Sequence, residues 1–196
     1  VLLQNAELPT TGKVLWLTGL SGAGKSTIAA EIQRLLIANG ITPLLLDGDQ
    51  IRQAIADPHW GFDQQSRRMG SFRYARLAAL FARQGHLVIV PTISMFHEVQ
   101  HWNREHSPGY FEVYLRTTEQ TRRIRDPKIL YQQHQQGTQV SMAGLDLSIQ
   151  EPQQPDLLID NDGDQSDIPA IAQQIIQQLL ARTATIAGGP ADDENR

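Results

Sequence analysis

Cysteine is absent from this chain of 196 residues, so disulfides and thiolate metal sites are excluded and nothing marks the redox compartment. No apolar run approaches ~18 residues, so no membrane-spanning helix is expected. Residues 1–12 lack the basic start and apolar core of a secretory signal and read as a lead-in. Strong charge of either sign is missing too: the formal net charge is -4 and the pI is about 5.8. No stretch gathers Lys and Arg densely enough to track a nucleic-acid backbone. The expectation is a soluble cytoplasmic protein with neither nucleic-acid nor membrane partners, in which anion binding depends on local charge placement. The chain begins at Val1 rather than Met and reads as a trimmed or partial product. Its length suits one domain with an ample core, and it carries no internal repeats.

What is present centres on residues 19–27, GLSGAGKST. They fit the phosphate-loop pattern G-x-x-x-x-G-K-[ST], with Gly19, Gly24, Lys25 and Ser26 in the fixed places. A bound triphosphate is neutralised only if backbone N–H groups converge on it, a curl that Gly22 and Gly24 permit. Gly19, Ser21, Gly22, Ala23, Gly24, Lys25, Ser26 and Thr27 are therefore the expected ATP cradle. Lys25 supplies a point charge between the outer phosphates, and the Ser26 hydroxyl supplies a ligand for Mg2+.

Alternating strand and helix patterns predict an α/β protein, a three-layer phosphate-loop NTPase fold with a five-stranded parallel sheet and helices on both faces. Strands are expected at 13–18, 42–46, 86–90, 110–115 and 156–160. Helices are expected at 25–39, 50–56, 66–84, 95–105, 118–124 and 168–182, so the domain covers 13–182. The Gln-rich stretch 132–154 lacks apolar periodicity and reads as a mobile lid, taken with its approach as 125–154; residues 183–196 read as a disordered tail.

Switches and motors of this fold hold magnesium with an acid that ends a later strand. The third strand here, LVIVPTIS, has none, and the guanine-reading Asn-Lys-x-Asp signature is absent. The acids stand after the second strand instead, as Asp47 and Asp49. That placement suits a small-molecule kinase, in which a carboxylate beside the γ-phosphate takes the proton from an attacking hydroxyl. The bland reading makes Asp49 a helix N-cap and Asp47 a turn former.

Five ordered blocks carry a family resemblance over residues 13–160: GLSGAGKST, LDGDQIR, Gly61-Phe62, ISMF at 93–96 and RDPKILY at 125–131. The chain resembles the adenylyl-sulfate (APS) kinases, whose pattern runs GLSGxGKST, LDGDxxR, GF, ISPF or ISPY, and RDPKGLY. The resemblance implies transfer of the ATP γ-phosphate to the ribose 3'-hydroxyl of a small nucleotide, with Asp49 as base and, with Ser26, a candidate Mg2+ ligand. It implies that Lys25 and Ser94 lie beside the reacting groups, and that Asp47, Arg52, Phe62, Arg67, Ile93 and Met142 serve the acceptor. Arg125 and Lys128 would belong to a lid over the phosphates. Departures fall on the acceptor side. The family's DRxENIRR becomes SRRMGSFR, with Gly70 in place of the asparagine. Its KNFTG becomes VSMAG, with Met142 in place of the phenylalanine; YKKAR becomes YQQHQ, and SP[FY]R becomes Ser94-Met95-Phe96-His97. The segment TISMF is similar to a cytidine diphosphoramidate kinase branch, so a nucleotide conjugate of that kind is the alternative acceptor.

His97-Glu98-Val99-Gln100-His101 matches the zinc-protease motif H-E-x-x-H on an expected helix. His106 stands at the wrong spacing for a third ligand, so solvent-facing histidines are expected there. A non-catalytic nucleotide binder is the competing class, disfavoured because Lys25, Ser26 and Asp49 are all present. No feature sets the oligomeric state; a homodimer is the working expectation.

Overall fold

Strand β1, Lys13–Thr18, is buried along its whole length and alternates its side chains between two cores. Leu15 and Leu17 enter one core, with Ile28, Ile32 and Leu36 of α1 (Lys25–Ala38) and Ile175 and Leu179 of the C-terminal helix. Val14 and Trp16 enter the other, against Tyr74, Ala75, Ala78 and Ala82. This is the period of two that a strand covered on both faces dictates. The computed structural model describes residues 12–126, 129–138 and 141–187.

After α1 come β2 (Leu44–Leu45), α2 (Gly48–Ile55), α3 (Gln64–Arg83) and β3 (Leu87–Thr92). They are followed by α4 (His97–His106), β4 (Phe111–Arg116), α5 (Glu119–Arg125), α6 (Leu130–Gln135), β5 (Leu157–Asp160) and α7 (Ile168–Ala187). The sheet order is β2-β3-β1-β4-β5, and every pairing is parallel. The chain leaves β1 toward one edge and crosses later to β4 on the other side. The carboxyl end of β1 is therefore the switch point at which such sheets bind ligands.

Three expectations need correction. The second strand pairs only over two residues rather than 42–46, because Pro43 has no N–H to give a ladder. The final helix runs past Arg182 to Ala187, so the tail read as disordered is helical at its start, and residues 188–196 lie outside those described. The Gln-rich stretch is docked onto a small third core: Ile149 and Ala143 pack with Leu20, Met95 and Tyr114, and Gln150 N donates to Met95 O at 3.0 Å. A few apolar residues at irregular spacing suffice to anchor it, which periodicity does not register.

Behind the sheet, Glu112 on β4 is buried and accepts from Arg104 at 3.0 Å. Burial lifts its carboxyl from an ordinary 4.5 to about 7 against the pull of that guanidinium. An acid held above its unfolded value adds most stability below about pH 4.5 and loses that contribution as pH rises through about 7. Glu112→Gln removes the ionisation at constant shape. It should raise Tm relative to the parent by on the order of 3 °C more at about pH 8 than at about pH 5, in paired thermal melts. A gap that does not change with pH would contradict this.

Candidate active site

The loop after β1 takes left-handed backbone at Gly22 (φ 82°) and Gly24 (φ 89°), and Gly24 forms the N-cap of α1. A Cβ at Gly24 would stand 2.8 Å from Asn161 Nδ2, an atom that donates to Ala23 O at 2.9 Å. On the opposite flank, Gly22 lies against the Arg122 backbone. Tyr131 Oη donates to Ser21 O at 3.2 Å and accepts from Arg122 Nε at 3.1 Å. Groups from the end of β5 and from α5 and α6 thus hold the curl in the shape that aims its amides. Lys25 Nζ donates to Leu20 O at 2.8 Å.

Ser21, Gly22, Gly24, Lys25, Ser26 and Thr27 line a cavity of about 520 Å³. Gly19 and Ala23 do not line it; they serve packing, since a Cβ at Gly19 would lie 2.6 Å from Leu115 O and Ala23 is buried.

Both acids line the same cavity, but with different duties. Asp47, not Asp49, is the N-cap of α2: its Oδ1 accepts from Asp49 N at 3.0 Å and Gln50 N at 3.4 Å. Its Oδ2 accepts from Ser26 Oγ at 3.2 Å. The carboxylate thus stands beside the hydroxyl expected to meet magnesium. Asp49 is in the first turn of α2 and is not needed for the cap. Ser94 lines the cavity beyond β3, is buried, and its Oγ has no partner among the described residues.

On the α2–α3 side, Phe62 is 55% exposed. Arg52 lies over its ring at 4.3 Å and Arg67 at 5.6 Å. Arg52 Nη1 donates to Trp60 O and Gly61 O at 2.6 and 3.0 Å, while Arg67 donates to Phe62 O and Ser141 O at 2.7 and 3.0 Å. Burial and the charge of Arg52 pull the Arg67 guanidinium below its ordinary range, with Tyr74, Asp49 and Asp63 opposing. Such a paired, partly dehydrated set of cations attracts an anion strongly. Ile93 lines the cavity as expected. Met142 does not: it is buried, its carbonyl collects the N–H groups of Leu145, Asp146 and Leu147, and Ala143, Leu147 and Ile149 form that wall instead.

The model of the adenylylsulphate kinase family matches residues 11–160. The chain belongs to that family. It is 37% identical over 166 residues to the probable adenylyl-sulfate kinase of Bacillus subtilis, covering 84% of this chain and 83% of that one. It is 36% identical over 182 residues to the bifunctional enzyme CysN/CysC of Mycobacterium tuberculosis, covering 91% of this chain but only 29% of that protein. The solved structure of the Mycobacterium tuberculosis APS kinase CysC in complex with AMPPNP and APS superposes with TM-score 0.78 at 36% identity, over 87% of this chain and 99% of that one.

In this family member the cavity continues past the loop to Arg125, Asn161, Asp164, Gln165 and Ile168. Arg125 is pinned by Asn161 O at 2.9 Å and by Gly163 O, and Lys128 lies outside the described residues. Sequence reasoning missed Asn161 and Arg122. The polar run NDGD after β5, at the carboxyl edge of the sheet, was the available signal for the first; Arg122 carried none. The H-E-x-x-H match is disarmed. Glu98 pairs with Arg68, His97 Nε2 meets Glu151 O at 2.9 Å, and His101 meets Glu105 at 3.0 Å. Among the described residues no group of three or more His, Cys, Asp or Glu could hold a metal.

Ile129 has φ 57° and caps α6 in the left-handed region, where the family's RDPKGLY carries glycine. A β-branched residue is strained there, and Ile129 is exposed, so its side chain gives little in return. Ile129→Gly should add about 1 kcal/mol to unfolding in urea; a loss of stability would contradict the strain.

Proposed function

We propose that this chain transfers the γ-phosphate of ATP to the ribose 3'-hydroxyl of adenylyl sulfate, giving 3'-phosphoadenylyl sulfate and ADP. The carrying observation is one cavity that joins Lys25, Ser26 and Asp49 to an exposed aromatic face flanked by two arginines. The loop amides and Lys25 hold the donor's phosphates, with the remaining nucleotide toward Arg125, Asn161 and Gln165. Phe62 stacks on the acceptor base, and Arg52 and Arg67 neutralise its phosphosulfate. Asp49 accepts the 3'-hydroxyl proton as the ribose oxygen bonds to the γ-phosphorus. The bond from that phosphorus to the bridging oxygen breaks, and ADP leaves with the electron pair. Ser94 Oγ hydrogen-bonds the acceptor beside the reacting atoms.

The Ser26 hydroxyl and Asp47 carboxylate fit magnesium, a hard cation that takes one or two protein oxygens and fills its shell with phosphate and water. When bound there, the ion would offset charge on the phosphate oxygens. The reading is of a cytoplasmic enzyme; no helix among the described residues is long and apolar enough to cross a membrane.

The test is ADP formation from ATP and magnesium with and without adenylyl sulfate. The expected result is ADP release that depends on the acceptor; equal release in both would contradict the reading. The absence of a side-chain amide at Gly70, where Trp60 fills the space, favours a second reading, a kinase of a related conjugate such as cytidine diphosphoramidate. Turnover of that compound with none of adenylyl sulfate would select it.

A further inference from the structure

Apart from Ser94, which is placed beside the reacting atoms, the polar side chains of Ser71, Tyr74, Gln64, Arg52 and Arg67 that line the cavity are engaged by the protein itself among the described residues. Ser71 Oγ donates to Arg67 O at 2.9 Å, Tyr74 Oη to Gly48 O at 3.0 Å and Gln64 Nε2 to Ser148 O at 3.2 Å. Arg52 and Arg67 are tied to carbonyls in the way already described. Trp60 Nε1 is buried without a partner, but it is sealed behind Gly70: a Cβ on Gly70 would meet it at 2.6 Å. Gly70 lines the cavity and Trp60 does not. Ala143, Leu147 and Ile149 add aliphatic surface to the same cavity.

Gln64 retains an acceptor oxygen and Ser148 its hydroxyl, and both residues are exposed. A base that fails to match them leaves them hydrated rather than buried and unpaired. Strong discrimination has the opposite requirement. A site that strands a buried polar group when the wrong ligand enters rejects it by about 10⁴–10⁵-fold, whereas apolar contact separates close analogues by only about 10–200-fold. Stacking tolerates any base, since all present a π face.

We propose that the acceptor site reads its nucleotide by ring face and anionic tail rather than by base identity. Nucleoside 5'-phosphosulfates of adenine, guanine, cytosine and uracil then bind within about 200-fold of one another. Phe62 and the Arg52–Arg67 pair set affinity for all four. This rests on the acceptor placement proposed above, but not on the transfer step.

The experiment measures binding of the four compounds by calorimetry to the full chain saturated with magnesium and AMPPNP, then transfer from ATP to each. Dissociation constants within about 200-fold support the inference; a wider preference for one base overturns it. Phe62→Ala should weaken all four together by about 10–100-fold, and Gln64→Ala should leave their order unchanged. A reordering by Gln64→Ala would assign base reading to that side chain and overturn the proposal. Failure here and failure of the proposed reaction separate cleanly. Tight, base-blind binding without transfer sinks only the reaction. Transfer confined to adenylyl sulfate, with binding confined likewise, sinks only this inference.

Discussion

Asp49→Asn lowers kcat for phosphate transfer by about 10²–10⁴-fold and leaves ATP affinity within about threefold of the parent. The asymmetry follows from the division of labour between the two acids. Asp47 caps α2 and accepts from Ser26, so helix position and metal-side geometry do not depend on Asp49. Removing its charge leaves the α2 cap and the Ser26 contact in place, while it withdraws the proposed proton acceptor and the Asp49 contribution to the field at Arg67. Asp47→Asn is the contrasting variant. Asparagine caps as well as aspartate, so the fold stands, while loss of charge beside Ser26 raises the magnesium needed for half-maximal rate. Steady-state kinetics with titrated ATP and magnesium distinguish the two. Transfer at the parent rate by Asp49→Asn would remove the assigned base, and equal magnesium dependence in both variants would remove the division of labour.

Gly70→Asn destabilises the fold by about 1–3 kcal/mol, and Trp60→Leu in the same chain relieves much of that loss. The indole occupies the direction any side chain at 70 must take. Its Nε1, Cζ2 and Cε2 would lie 2.6, 2.9 and 3.0 Å from an added Cβ. Trp60 cannot retreat easily, since it packs on Tyr74 with ring centroids 5.5 Å apart and lies under the guanidiniums of Arg52 and Arg73 at 4.7 and 4.5 Å. The readout is a double-mutant cycle in urea. The double variant should be more stable than the sum of the singles predicts by at least about 1 kcal/mol. Simple additivity would mean that the indole is not what excludes a larger residue. Gly70 and Trp60 are thus coupled by packing in this chain.

The sheet, the loop and the long helices were legible because each has a local cause: alternation along β1, glycines that release α1, and the 3.6-residue spacing of α3. Asp47 and Asp49 were legible as a pair but not in their roles, because which of them caps α2 depends on where the helix begins. The placement of Met142 was carried over from a motif position, yet a turn that gathers three N–H groups on its carbonyl draws the side chain inward. Asn161 escaped notice because the loop it braces is 138 residues away in the chain, and no periodicity connects such a pair. The docked stretch after α6 was misread for a related reason: its few anchors, Ala143 and Ile149, meet Leu20 and Met95 from the loops after β1 and β3 and Tyr114 from β4.

Locating the transferred phosphorus tests the account most directly. The chain is incubated with ATP, magnesium and adenylyl sulfate, and the product is assigned by phosphorus NMR coupled to the ribose protons. The account predicts a new phosphate monoester on the 3'-oxygen that appears in step with ADP. Free phosphate with an unaltered acceptor, or a phosphate on any other atom, would contradict it.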